Sequence, residues 1–375
     1  MSKSRFKKLF FNTHLYLSLP FGIVISLICF SGAMLALEKH ITPHMQSHLL
    51  YVSEAKGERL PLDTLVSRVQ STLPDSVRVT SVSFYPDPKR TFQFHLSKPR
   101  KASLYADPYS GEVLGKGGKL PFFQTMMRLH RWLLGPAKAP DGSIGWGKCL
   151  VGISTLLFVV VLATGLVLWW PRTLKGWKAK SKVPFRRGAQ ALNRGLHYVA
   201  GAYLFPLLLL MALTGLTWSF AWYRDGVYAL LGCAPKEEKK TTERPAPDAS
   251  SQGQRKEKGK QDFAWQAGMD RLLPLCSSTS QITLSPGKAS VKHFEWGNAR
   301  AADSYRLDKE GNIVEFEPYA QSDYRRKVSG WLYTLHTGTF AGLLSATLWS
   351  LVSLIGAALP LTGYYLWWKR IRRKR

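Results

Sequence analysis

Four stretches of the chain are each long and apolar enough to cross a lipid bilayer: about His14 to Leu37, Leu150 to Trp170, Leu196 to Trp222 and Leu343 to Trp368. At ~1.5 Å of rise per residue, ~20 helical residues cover the ~30 Å hydrocarbon core. Lipid offers no partner to an open backbone, so such stretches must close their hydrogen bonds internally, as helices. The chain is therefore expected to be a membrane protein with four transmembrane helices. The first stretch follows a basic N-terminus, as a signal peptide would. It is about twice the length of a 7–15-residue signal core and runs into Glu38 and Lys39 with no small-residue cleavage site, so it reads as a retained helix. Trp169, Trp170, Trp218, Trp222, Trp367 and Trp368 fall near the ends of the stretches, as interfacial belts do.

The formal net charge of +28 would also suit a nucleic-acid binder, and the placement of the charges decides against it. Lys3, Arg5, Lys7 and Lys8 precede the first stretch. Arg172, Lys175, Lys178, Lys180, Lys182, Arg186, Arg187 and Arg194 lie between the second and third, and Lys369 to Arg375 follow the fourth. These runs hold no Asp or Glu and abut apolar spans, which is the positive-inside signature. No groove-reading motif or base-stacking aromatic set accompanies them. The expected arrangement is a bacterial inner-membrane protein with both termini and the 172–195 loop in the cytoplasm. Segments 41–129 and 224–333 then lie on the periplasmic side. Their own Lys and Arg do not count against this, because long loops escape the charge rule.

The two halves carry the same signposts in the same order. His14 stands 18 residues before Gly32, as His197 does before Gly215. Thr164-Gly165 leads to Trp169-Trp170-Pro171-Arg172, and Thr362-Gly363 leads to Trp367-Trp368-Lys369-Arg370. Leu129-His130 precedes the second stretch and Leu335-His336 the fourth. The outer segments also correspond, Tyr105 to Val113 resembling Tyr305 to Ile313. This indicates a parallel internal repeat, each copy starting and ending inside. Each outer segment reads as a small α+β domain. The first has an amphipathic helix over 61–72, strands over 77–84 and 91–96, and a turn at Asp107 to Gly111 before another strand. The second has a helix near 262–273 and strands near 280–284, 289–295 and 303–307. The Lys-, Glu-, Ser- and Pro-rich run from Lys236 to Gln261 reads as a disordered linker. Cys29 and Cys149 show no metal spacing, and Cys233 and Cys276 share one outer segment, where a disulfide is an option.

The boundaries that follow are 1–40 for helix 1 and 41–129 for the first outer domain. A His-bearing segment with helix 2 covers 130–171, and the basic loop 172–195. Helix 3 covers 196–223, the linker and second outer domain 224–333, a second His-bearing segment with helix 4 334–369, and the tail 370–375.

Four of the nine histidines are related by the repeat. His14 and His197 begin outward-going helices, so both fall near the cytoplasmic face. His130 and His336 precede inward-going helices, so both fall near the periplasmic face. Two histidines per face, drawn from different halves, are what two bis-imidazole haems would need, the apolar macrocycle lying between helices. Arg128, Arg131 and Arg194 are close enough in sequence to meet propionates. His40, His44 and His48 form a rival set, aligned on one face if the helix continues through Pro43, for an outer metal ion or as substitute haem ligands. His95 and His293 fall in strands and read as ordinary residues.

Leu129-His130-Arg131-Trp132, the two Thr-Gly…Trp-Trp elements, and His197 with Thr214-Gly215 together resemble the PepSY-associated transmembrane proteins, often called iron-regulated membrane proteins, over nearly the whole chain. That family includes bacterial inner-membrane ferric-siderophore reductases. The resemblance implies a four-helix membrane bundle, two periplasmic PepSY-like domains and two b-type haems. The haem-iron ligands would be His14, His197, His130 and His336. The charged run after Cys233 departs from the compact pattern. The resulting expectation is a di-haem electron-transfer enzyme that reduces a ferric siderophore in the periplasm and so releases Fe(II). No Gly-rich dinucleotide fingerprint is present, so electrons would come from a separate cytoplasmic protein or a quinol. Two alternatives come from other classes. One is a non-enzymatic membrane protein whose PepSY modules regulate a peptidase or envelope process. The other is a metal or siderophore transport component, although the four stretches lack the carboxylates of a cation path.

Overall fold

The computed structural model describes residues 3–52, 54–55, 57–99, 102–233, 263–293 and 297–373. The linker expected over 236–261 lies outside the described residues. In chain order the helices and strands are α1 (Lys3–Ala36), α2 (Glu38–Met45), α3 (Ser47–Leu50), α4 (Leu62–Ser71), β1 (Val79–Phe84), β2 (Phe92–Leu96), β3 (Ser103–Ala106), β4 (Val113–Gly117), α5 (Pro121–Trp132) and α6 (Trp146–Trp169). There follow α7 (Leu174–Lys180), α8 (Ala189–Tyr203), α9 (Phe205–Ser219), α10 (Ala221–Leu230), α11 (Trp265–Leu272), β5 (Gln281–Ser285), β6 (Lys288–Lys292), β7 (Asp303–Leu307), β8 (Ile313–Glu317), α12 (Tyr324–Thr337) and α13 (Gly342–Arg372). One helix, four strands and two helices follow each other twice, as α4 to α6 and as α11 to α13.

Three helices, α1, α6 and α13, are long and apolar enough to span a membrane. The expected third span differs from a simple rod. It is the pair α8 and α9, which meet at an angle of 61°. Pro206 explains the break: it sits in the first turn of α9, where its missing N–H is harmless, and it cannot continue the ladder of α8. Counting that pair as one span gives the four of the sequence reading. α1 packs along α13 and α6, with Tyr364 donating its hydroxyl to the Leu19 carbonyl and Ser26 donating to the Ala357 carbonyl at 2.8 Å. Both hydroxyls thereby satisfy themselves against the backbone of the partner helix, which in lipid is the favoured solution.

The two outer segments do not form two separate sheets. Their strands join into one eight-stranded antiparallel sheet in the order β4-β3-β2-β1-β5-β6-β7-β8. The junction is the β1–β5 ladder, with Val82, Ser83 and Phe84 opposite Leu284, Thr283 and Ile282. Strand alternation then sorts the faces. Val82, Phe84, Phe92, Phe94, Ile282, Leu284 and Val291 are all 0% exposed on one face, where α4 and α11 cover them to form one continuous core. The helices lock each other in place. The Asp63 carboxylate of α4 accepts from the Trp265 and Gln266 backbone N–H groups at 3.0 Å each, and the Gln266 side chain accepts from the Leu62 N–H at 2.6 Å. Each thereby caps the other's open N-terminus, and Asp63 meets the positive end of the α11 dipole. The two outer segments are thus one body, built from both halves.

The sheet's second face is polar, with Ser83, Gln93, His95 and Thr283 on it. α3, which continues from α1 and α2, lies on it. Leu49 reaches Gly115 of β4, and Thr91 donates its hydroxyl to the Leu49 carbonyl at 2.6 Å. Cys233 and Cys276 are separate free thiols, so the disulfide considered from sequence is not formed. Cys233 packs with Tyr228 and Val328, whereas Cys276 packs against the sheet core, where burial pushes its thiol up to about 11.

Candidate functional site

Two imidazole pairs form inside the helical part, and they are the pairs expected from topology. The ring centres of His14 (α1) and His197 (α8) lie 6.4 Å apart, and those of His130 (α5) and His336 (α12) 6.1 Å apart. Each pair takes one ring from each half of the chain.

All four rings are seated in the same way. His14 Nδ1 lies 3.0 Å from the Val161 carbonyl and 3.2 Å from Thr164 Oγ1. His130 Nδ1 lies 2.9 Å from the Ile28 carbonyl and 3.4 Å from Ser31 Oγ. His336 Nδ1 lies 3.0 Å from the Met211 carbonyl and 3.2 Å from Thr214 Oγ1. His197 Nδ1 lies 2.8 Å from Thr362 Oγ1 and also bonds the Leu359 backbone. In every case the carbonyl belongs to the residue three before the Ser or Thr. Those hydroxyls give their own protons to carbonyls of their own helix, as Thr164 does to Val160 at 2.8 Å and Ser31 does to Leu27 at 2.6 Å. The oxygen is therefore an acceptor toward the ring, and Nδ1 carries the proton. That tautomer leaves Nε2 with its lone pair, and no described hydrogen bond uses it.

The residue after each Ser or Thr is glycine, and the ring edge rests on it. A Cβ built at Gly32, Gly165, Gly215 or Gly363 would stand 3.1, 3.0, 2.9 or 3.5 Å from Cε1 of His130, His14, His336 or His197 respectively. The glycines let the ring approach the helix backbone closely enough for Nδ1 to reach the carbonyl. The Ser/Thr-Gly pairs, which in sequence serve as repeat markers, are thus the seats of the histidines. Their fourfold recurrence was the available signal.

The pairs lie at opposite ends of the bundle. His14 and Gly32 sit on the continuous helix α1, and 18 residues correspond to about 27 Å of axial separation. The layer between them is apolar, built from Ile25, Phe158, Leu162, Leu208, Ala212, Val352 and Leu359. The His130–His336 pair is at the sheet end, where Trp218 lies 5.3 Å from the His336 ring.

The remaining candidates separate from these pairs. Arg128 donates to the Leu134 carbonyl at 3.0 Å, Arg131 stacks 5.0 Å over the Trp132 ring, and Arg194 is exposed. His40, His44 and His48 do not share one helix face, because the helix breaks at Gln46 between α2 and α3. Among the described residues no three or more His, Cys, Asp or Glu side chains come together as ligands of a metal ion, which disposes of that trio as a bare-metal site. His95 is a sheet residue, 2.8 Å through Nε2 from Ser83 Oγ, and burial lowers its pKa. His293 pairs with Asp303 at 3.0 Å.

The fold and site define a class: a polytopic membrane protein with an α/β domain outside its spans and two histidine pairs at opposite ends of its helical part. The chain belongs to the PepSY-associated transmembrane family, whose model, described as the PepSY-associated TM region, matches residues 11–370. No curated protein matches the chain.

Proposed function

We propose that this protein is a transmembrane ferric-siderophore reductase of the bacterial inner membrane, with two b-type haems held by His14–His197 and His130–His336. The observation that carries the reading is the paired, identically seated imidazoles. Three features fit a porphyrin iron. A haem of an electron-transfer protein would be held by two protein ligands, and each pair offers two imidazoles with no third His, Cys, Asp or Glu ligand among the described residues. The ring centres, 6.4 and 6.1 Å apart, would leave room for one metal ion between the two imidazoles of each pair. Finally, donation of Nδ1–H to a carbonyl fixes ring orientation and raises the basicity of Nε2, the usual outer-shell support of a ligating histidine.

Bound haem would supply a one-electron couple at each end of the bundle, held by His14 and His197 at one end and by His130 and His336 at the other. The chain's own residues do the rest. The Ser/Thr-Gly seats hold the imidazoles in the ligating tautomer. The Ile25–Phe158–Leu208 layer would keep water and ions from passing between the two ends. The basic runs at the N-terminus, at 172–195 and after Trp368 favour a cytoplasmic location for the His14–His197 end. The sheet body then stands in the periplasm over the His130–His336 end, where a ferric chelate would be reduced and its iron released as the more weakly held Fe(II). The recurrence of one helix, four strands and two helices supports an origin by internal duplication. Electrons would enter from a cytoplasmic protein or a quinol. The test is to reduce the purified protein with stoichiometric dithionite, mix it without oxygen with a ferric siderophore, and follow the haem bands. Reoxidation much faster than in buffer alone supports the reductase; reoxidation at the buffer rate refutes it.

A further inference from the structure

The two halves of the sheet differ sharply at one place. The β5–β6 connection is the two-residue turn Pro286-Gly287, whereas the corresponding β1–β2 connection runs from Tyr85 to Thr91. Beside the longer loop lies a pocket of about 90 Å³ on the sheet's second face, lined by Leu50, Ser83, Tyr85, Arg90, Gln93 and Tyr105 among others. The second half has no counterpart to its central residue, Arg90.

Arg90 is held firmly. Its backbone forms an antiparallel bridge with Tyr51, and its N–H donates to the Asp87 carbonyl at 3.2 Å. The guanidinium lies 4.2 Å from the centre of the Tyr85 ring and 4.8 Å from that of Tyr51, and it donates to the Tyr85 hydroxyl. The guanidinium has five N–H donors, and the Tyr85 hydroxyl takes one of them. No carboxylate pairs with Arg90 among the described residues. Asp87, the nearest acid in sequence, spends a carboxylate oxygen on the Lys89 N–H at 2.9 Å. The neighbouring hydroxyls and amides extend the polar surface. Ser83 bonds Thr283 at 2.8 Å across the β1–β5 junction, and Gln93 donates to Ser103 at 2.9 Å. A half-buried guanidinium held beside two tyrosines, with donors to spare and no carboxylate partner among the described residues, is complementary to a planar oxyanion.

We infer that the Arg90–Tyr51–Tyr85 pocket is an anion-binding site that grips a carboxylate of the ligand on which the proposed reductase acts. This deepens the proposed function by naming the chelate class, a polycarboxylate ferric complex. It rests on that reading for the ligand's iron alone. The pocket volume matches one carboxylate group, so it anchors an edge of the ligand rather than enclosing it.

The test measures binding to the full-length oxidised protein in detergent, with no electron transfer. Ferric citrate, iron-free citrate and a neutral ferric trihydroxamate are titrated by isothermal calorimetry into wild type, Arg90→Lys and Arg90→Gln. Unchanged haem bands and thermal melts certify each variant as folded. Arg90→Gln should weaken ferric citrate roughly tenfold to a hundredfold, the loss expected for charged hydrogen bonds. Arg90→Lys should fall between, and the trihydroxamate should shift by less than about twofold. Arg90-dependent binding of ferric citrate alone assigns the anion to the chelate. Arg90-dependent binding of both citrate forms assigns it to a free carboxylate; either result supports the site. Equal affinity of wild type and Arg90→Gln for both citrate forms overturns it. A protein that binds citrate through Arg90 yet fails to reduce any chelate would refute the reductase reading and leave the anion site standing.

Discussion

The glycine seats allow a graded experiment, because they are not equally tight. An alanine at Gly215 would place its Cβ 2.9 Å from His336 Cε1 and 3.5 Å from Nδ1, whereas one at Gly363 would meet His197 Cε1 at 3.5 Å. Ordinary carbon contacts lie at about 3.5–4.0 Å, so Gly363→Ala is accommodated, while Gly215→Ala must push the His336 ring by roughly half an ångström. That ring cannot yield freely. Its Nδ1 is tied at 3.0 Å to the Met211 carbonyl on the same helix, and Trp218 stands 5.3 Å away on its flank. Overpacking of this kind costs about 1–3 kcal/mol, which corresponds to a ~5- to ~150-fold loss of affinity at that site. In the proposed di-haem protein, Gly215→Ala should therefore lose or loosen the sheet-side haem and spare the other, while Gly363→Ala keeps both. The assay is haem per chain by the pyridine haemochrome, with a potentiometric titration to separate the two centres. Two haems at wild-type potentials in Gly215→Ala, or equal damage from Gly363→Ala, would refute the seating argument.

Other outcomes follow from the same geometry. His14→Ala and His197→Ala should each remove one and the same haem, and His130→Ala and His336→Ala the other; loss of different centres within a pair would break the pairing, as read by spectral titration. Leu284→Ala, at a fully buried position on the β1–β5 ladder, should cost about 2–5 kcal/mol and lower one common melting transition of the sheet body, whereas two independent transitions would show that the halves fold separately. Burial lowers the pKa of His95 from its ordinary 6.5, so the unfolded chain binds more protons than the folded one in that region. The stability this group contributes is present above about pH 6.5 and is lost as pH falls through the lower folded value. A denaturation series from pH 7.5 to pH 4.5 should show this loss, and His95→Gln should remove part of it.

The spans and the paired histidines were legible because they rest on strong local signals: hydropathy over twenty residues, charge placement, and motifs repeated at equal spacing. The outer helices and strands were also placed to within a few residues, as with the helix expected over 61–72 and found at Leu62–Ser71. The single continuous sheet was not legible. Its junction pairs Phe84 with Ile282, and nothing local to either strand specifies a partner some two hundred residues away. The bend between α8 and α9 escaped because apolar character continues through it, although Pro206 marked the place. The hydroxyl and glycine seats were visible as a recurring pair, but their contact with histidines of other helices is a tertiary fact. Arg90 gave no signal in one dimension. Its significance comes from two tyrosines, one of them 39 positions away in sequence, and from the missing counterpart in the other half.

In the proposed function, each of the two imidazole pairs clasps a haem iron. The most direct measurement is the absorption spectrum and haem-to-protein ratio of the purified chain from haem-replete cells. Two haems per chain, with a Soret band and sharp split low-spin bands on reduction, are predicted. A colourless, iron-free preparation of folded protein would contradict it.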